Sequence, residues 1–453
     1  MQNNKRQKDL FESVPVSAAV LSLAIPTVIS QLITVVYNMA DTFFVGQLND
    51  PAQVAAATLA MPVFMFLTAF ANLFGIGGSS VISRYLGMSR KENAENTSSF
   101  CVWSSVTVSI LYGLLIWLFR APVFQILGAT SDTSLYLGQY VFWTVTIGSL
   151  PTVLNTEFAH LIRSEGYAKQ ASIGVALGGI LNIVLDPLFI FGFHMEIRGA
   201  AIATMLSNTC AVIYFLIFLH TIRKSTSISI DPRLFCLSDG IPGAVLSAGV
   251  PSAVMTLMST ISNTVLNHLI SSYSTEAIAG MGIAKKIDLI AYQIAQGMTQ
   301  GTLPLIGYNY ASGNRKRMSQ SIHTIFRYTL ILAFSAMIVL LLASKFVTRL
   351  FIQDPATVTY GSEFLRVISI ACPTTALNFR IITVFQATGA KVRPLILSFL
   401  RKGTLDVPLM FLFNHLYGIE RIAWATPMAD QIALLIALIL FIPYFKKISH
   451  QEG

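Results

Sequence analysis

Twelve stretches of about 20 predominantly apolar residues follow one another along this chain, and they leave little freedom in what it can fold into. They fall near 17–43, 52–74, 96–119, 132–157, 170–193, 197–221, 242–271, 277–300, 322–349, 358–387, 393–415 and 421–446. A backbone inside hydrocarbon must pair its N–H and C=O groups within its own segment or in a closed barrel. Runs of this length, without the two-residue alternation of a barrel strand, are helices. With 54% hydrophobic and 11% charged residues over 453 positions, a soluble globular fold is excluded. The expected class is an all-α membrane protein with twelve transmembrane helices embedded in a lipid bilayer. The first stretch is too long for a signal-peptide core, carries Pro26 and Asp41, and has no clear small-residue cleavage site, so it is expected to stay.

Orientation follows from the basic residues. With a cytoplasmic N-terminus, the inner segments hold 18 Lys and Arg, among them Lys5, Arg6, Lys8, Arg163 and Arg317, and the outer ones hold 5. That bias predicts both termini in the cytoplasm and a chain in the inner (plasma) membrane. It also accounts for the net charge of +9, so no nucleic-acid partner is implied. Cys101, Cys210, Cys236 and Cys372 are scattered without a C-x-x-C pair and read as packing residues, not a disulfide or zinc framework.

The chain also repeats itself. A shift of 225 positions superposes Leu21 on Leu246, Pro26 on Pro251, Asn38 on Asn263, Tyr85 on Tyr310, Arg90 on Arg315 and Lys91 on Lys316. Near the end of each half the offset shrinks slightly and pairs Gly166 with Gly389, Pro187 with Pro408 and Thr204 with Thr426. Six spans per copy is an even number, so both copies enter the membrane from the same side. The prediction is two parallel, pseudo-symmetric six-helix halves, residues 1–221 and 242–453, joined by a cytoplasmic linker over 222–241. Such a pair rocks about a substrate site near the midplane.

Two acids stand inside the apolar runs of the first half: Asp41, after Tyr37 and Asn38, and Asp186, before Pro187. A charge at bilayer depth costs on the order of 3 kcal/mol, which marks both as functional candidates and suggests a buried pocket that accepts a cation.

Several motifs carry a family resemblance: Leu23-Ala24-Ile25-Pro26 leading to Tyr37-Asn38-Met39-Ala40-Asp41, Asn182 to Pro187, Arg198 to Thr204, Gly307-Tyr308-Asn309-Tyr310, and Trp424 to Asp430. As a set they resemble the multidrug and toxic compound extrusion (MATE) family, bacterial multidrug-efflux branch, over essentially the whole chain. The resemblance implies a monomeric antiporter that exports small amphiphilic, usually cationic substrates in exchange for Na⁺ or H⁺ by alternating access, with no other cofactor. It further implies a cation site in the first half formed by Asp41, Asn182, Asp186, Thr204 and the backbone oxygen of Ala200.

The residues can be weighed on their own chemistry. Asn182 and Asp186 are four apart and share a helix face, offering an amide oxygen and a carboxylate to one volume. Pro187 leaves the Ile183 carbonyl without its helical donor and favours a bend, and Pro26 does the same for Ser22, either as a hinge or as a static kink. Tyr37 and Asn38 are placed to share hydrogen bonds with Asp41. Under the repeat Asp41 corresponds to Leu266, so the fold itself requires no acid there.

In the second half, Arg401 or Lys402 is expected to pair with Asp406 within a turn, and Lys285, Lys286, Asp288 and Asp430 add charge to spans 8 and 12. Arg380 has no sequence-local partner and is expected to face a water-filled cleft. Phe64, Met65, Phe66, Met255, Met258 and Met298 are candidates for an adaptable cavity lining. No H-E-x-x-H pair or acidic D-D-x-x-D arrangement occurs, and the seven histidines are dispersed, so an intramembrane enzyme is disfavoured. The competing reading is an exporter or flippase of lipid-linked or anionic substrates from the same wider superfamily.

Overall fold

The computed structural model describes residues 8–450; Lys5 and Arg6, counted in the charge bias, lie outside the described residues. Helix follows helix, with no strand among the described residues. The first half comprises α1 (Val16–Gly46), α2 (Pro51–Gly87), α3 (Lys91–Leu118), α4 (Ser131–Val141, a π-helical stretch Phe142–Ile147, then Ser149–Ser164), α5 (Ala168–Pro187, ending in a π turn Leu188–Gly192) and α6 (Glu196–Thr221). The second comprises α7 (Ile241–Ile270), α8 (Thr275–Ala311), α9 (Arg315–Arg349), α10 (Pro355–Ser369 and Cys372–Ala387), α11 (Val392–Phe399, a π stretch Leu400–Asp406, then Val407–Tyr417) and α12 (Ala425–His450).

Eight of these helices are each long and apolar enough to cross a bilayer, and α10, bent by 41° between its pieces, makes a ninth. The remaining three differ in a way that matters. α4 and α11 are interrupted by π-helical stretches, and α8 carries Lys285, Lys286 and Asp288, then Gln293, Gln296 and Gln300, within its span. All three line the space between the halves.

Several helices outrun the apolar windows read from the sequence. α2 continues from 74 to Gly87 because Ser79, Ser80 and Ser83 are buried where the halves meet and do not form a loop. α4 continues past 157 to Ser164, which corrects the placement of Arg163 in a cytoplasmic loop: it is buried in the last turn.

The halves join through two equivalent contacts, α2 against α7 and α8 against α1. The 225-residue shift exchanges these pairs, as a pseudo-two-fold axis along the membrane normal requires. Both depend on glycine. A Cβ on Gly77 of α2 would lie 2.5 Å from the Val245 carbonyl of α7, and one on Gly301 of α8 would lie 2.6 Å from the Leu23 carbonyl of α1.

At the end where α1 begins and α12 finishes the contact is closed. Ser80 Oγ donates to the Gln386 carbonyl at 2.7 Å, and Arg317 donates to the Leu10, Phe11 and Val14 carbonyls, pinning the start of the chain beneath α9. Toward the other end the helices part beyond the Gln31–Gln300 and Asn72–Thr256 hydrogen bonds. The segment between α6 and α7 is strapped along α3, with Ser99 Oγ and Trp103 Nε1 donating to the Asp231 and Ile230 carbonyls.

Candidate functional site

The parting of the halves leaves a cavity of about 800 Å³, lined by α1, α2, α4, α5 and α6 on one side and by α7, α8, α10, α11 and α12 on the other. Phe64 and Met65 line it. Phe66 is exposed on the outside of α2 beside Tyr112, and Met255, Met258 and Met298 lie outside this lining.

On the first-half wall, α5 approaches its neighbours closely because its facing side is small. Gly179 lies against Ile33 and Tyr37 of α1, and Gly178 against Ala211 of α6. One turn on, Asn182 Nδ2 donates to Asp186 Oδ1 at 3.0 Å and to Thr204 Oγ1 of α6 at 3.4 Å. These bonds satisfy the amide nitrogen and leave acceptors over. Asn182 Oδ1, Asp186 Oδ2 and Asp41 Oδ1 are all enclosed and without a hydrogen-bond partner. Enclosed, unpaired oxygens are costly unless something electropositive joins them. Two carboxylates, an amide oxygen and a hydroxyl suit a proton or one hard monovalent cation. No group of three or more His, Cys, Asp or Glu fit for a metal ion occurs among the described residues.

Asn182, Thr204, Tyr37 and Asn38 reach the cavity lining, whereas Asp41 and Asp186 stand outside it. The acids are thus separated from the cavity by neutral side chains. Ala200, one turn before Thr204, is buried in a small apolar cluster with Val45 and Ile190. Pro187 opens the π turn Leu188–Gly192, whereas α1 runs unbroken through Pro26.

The second-half wall is charged. Lys402 pairs with Asp406 at 2.9 Å, and Asp406 also accepts from Ser262 Oγ at 2.7 Å. Of the two cations expected to pair with Asp406 it is thus Lys402 that does so, and Arg401 takes another partner. It donates through Nε and Nη2 to Asp430 of α12, at 2.5 and 3.2 Å, and sits over the Phe379 ring; Thr375 also donates to Asp430. The π-helical stretch Leu400–Asp406 widens the turn, so that Lys402 meets Asp406 while Arg401 turns toward α12.

The expectation for Arg380 is corrected as well. It is 1% exposed, absent from the cavity lining, and donates to Thr302 Oγ1 at 3.3 Å and to the Ala295 carbonyl.

The sequence reading missed Glu157 and its grouping with two residues of the same helix. Glu157, His160 and Arg163, spaced by three along α4, are buried; both Glu157 oxygens lack partners, and His160 and Arg163 line the cavity floor. Their regular spacing was the available signal, but it lay beyond the point where the apolar window ended.

Residues 26–188 and 251–412 each match the MatE family profile, so the two matches begin 225 positions apart, at Pro26 and Pro251. The multidrug export protein MepA of Staphylococcus haemolyticus is 28% identical over 431 residues, spanning 95% of this chain and 94% of that protein. A crystal structure of MATE in complex with MaL6 superposes with a TM-score of 0.91 at 25% identity, over 97% of this chain and 98% of that one. The outward-facing conformation of a multidrug resistance MATE family transporter of the MOP superfamily does so at 0.88 and 25%, with the same coverage.

Proposed function

Because this chain belongs to the MatE family, whose profile it matches once in each half, we propose that it is a monomeric secondary antiporter of the plasma membrane that exports small amphiphiles in exchange for Na⁺ or H⁺. Both termini are cytoplasmic, which places the closed end of the bundle inside and the open end of the cavity outside. The units that rock are residues 1–221 and 242–453, with 222–241 as the connector.

One observation carries the coupling assignment: three enclosed oxygens on Asp41, Asn182 and Asp186 have no donor, beside a cavity that two related halves enclose. Ion entry from outside satisfies those oxygens and cancels the charge behind the first-half wall, which favours release of substrate and return to the inward-open form. Thr204 and the Ala200 carbonyl complete the oxygen set, and Tyr37 and Asn38 shield it. Pro26 and Pro187 provide the bends that let α1 and α5 follow the change. One charge crossing 100 mV supplies about 2.3 kcal/mol, enough for roughly fifty-fold accumulation at about 1.4 kcal/mol per tenfold.

Transport of a fluorescent amphiphile into proteoliposomes, under a Na⁺ gradient and a pH gradient imposed separately, tests this. One gradient should drive uptake, and Asp41→Asn and Asp186→Asn should each abolish it. Wild-type rates in both variants would remove the ion site from the first half.

A further inference from the structure

Charge is unevenly divided over the cavity wall. Arg401 and Lys402 are neutralised by Asp430 and Asp406. Lys285, Lys286 and Arg163 also line the cavity, yet none makes a side-chain hydrogen bond or ion pair among the described residues, and Arg163 Nε is enclosed without a partner. Against these three stands one lining carboxylate that is likewise unpaired, Asp288, a turn from Lys285 on α8. Asp41, Asp186 and Glu157 of the first half lie behind the lining and not on it. Among the unpaired charged groups on the lining itself, cations therefore outnumber carboxylates three to one. Lys285 and Lys286 are faced across the gap by Met61, Phe64 and Met65.

A low-dielectric cleft focuses the field of such unpaired charges, repelling cations and drawing anions. We infer that the substrate is an amphiphile bearing a carboxylate, with its apolar body against Met61, Phe64 and Met65 and its anionic group at Lys285 and Lys286, and that these two lysines set selectivity against simple cations. The lysines sit on adjacent positions of α8, so they point about 100° apart around the helix, and both line the cavity, Lys286 exposed and Lys285 half-buried. This rests on the export reading above and replaces the cationic class implied by resemblance.

A matched pair of dyes tests it. Rhodamine 6G is the ethyl ester of rhodamine 19, so the two share a ring system and differ by one free carboxylate. Titrated into the purified full-length protein and read by fluorescence anisotropy, rhodamine 19 should bind more tightly by about tenfold, equivalent to about 1.4 kcal/mol. In Lys285→Gln/Lys286→Gln the preference should vanish or invert, because rhodamine 6G gains as repulsion is removed. Lys285→Arg/Lys286→Arg should keep it, which separates lost charge from misfolding. Equal affinities in the wild type, or a preference that survives the glutamine pair, overturns the proposal and leaves the export reading standing. Binding of neither dye strikes the export reading and the proposal together. In nanodiscs, loss of rhodamine 19 binding when anionic lipid replaces zwitterionic lipid would assign the lysines to a lipid headgroup and overturn the soluble-carboxylate assignment.

Discussion

The guanidinium of Arg401 grips Asp430 across two helices while resting on the Phe379 ring, and both charged residues are almost wholly out of contact with water. Removing one member of such a pair strands the other, and the loss exceeds what the pair contributes as a whole. Asp430→Asn is therefore expected to lower stability by about 3 kcal/mol or more, whereas Arg401→Met/Asp430→Leu, which removes both charges, should recover most of that. Thermal unfolding of the purified protein in detergent decides it; a double variant as unstable as the single one would show that the pair does not act as a unit. This pairing was not legible in the sequence, since the partners lie 29 residues apart on two helices whose mutual packing no local pattern fixes. The shared face of Asn182 and Asp186 was legible, because four residues along an unbroken helix fix it without help from any neighbour, whereas the bond from the amide nitrogen to the carboxylate was not. Glu157 and Arg163 fall between the two cases. Their spacing is regular, but hydropathy alone ends a membrane helix at the first polar turn, and only packing against α2, α3 and α6 shows that the helix continues.

Among the elements, α2 and α7 make the tightest passage. A side chain on Gly249 would run into the Leu73 carbonyl, so the two backbones touch with nothing between them. Gly249→Ala should force the helices apart at about 1–3 kcal/mol against the closed floor, shifting the balance between open and closed forms by roughly fivefold to a hundredfold. Nitroxide labels on the inner ends of α2 and α7 should then report a longer or broader distance distribution, with slower transport. An unchanged distance would mean that this contact does not hold the floor shut. The element count was readable from composition because a bilayer imposes one length on every span. The breaks in α4, α10 and α11 were not, since a π-helical stretch or a bend leaves the hydropathy of a window almost unaltered.

For the whole molecule, the open cavity at one end and the sealed contact at the other describe one of two states that alternating access requires. The seal can be tested as a unit where α2 and α8 cross, because a Cβ on Gly307 would lie 3.6 Å from the Ser83 Cβ, within the ~3.5–4.5 Å span that a disulfide bridges. The four native cysteines are all free; Cys101 and Cys372 are buried, and replacing the half-buried Cys210 and Cys236 by serine removes the accessible competitors for the new bond. Ser83→Cys/Gly307→Cys should therefore cross-link under mild oxidation, hold the two halves closed at the end where α1 begins, and stop transport until a reductant is added. The cavity stays open to the other side in that form, so the cross-linked protein should still bind the dye that it no longer moves. Transport at the wild-type rate in fully cross-linked protein would mean that the halves need not part here, and the rocking motion that their symmetry implies would have to be abandoned for local movement of α1 and α5 alone.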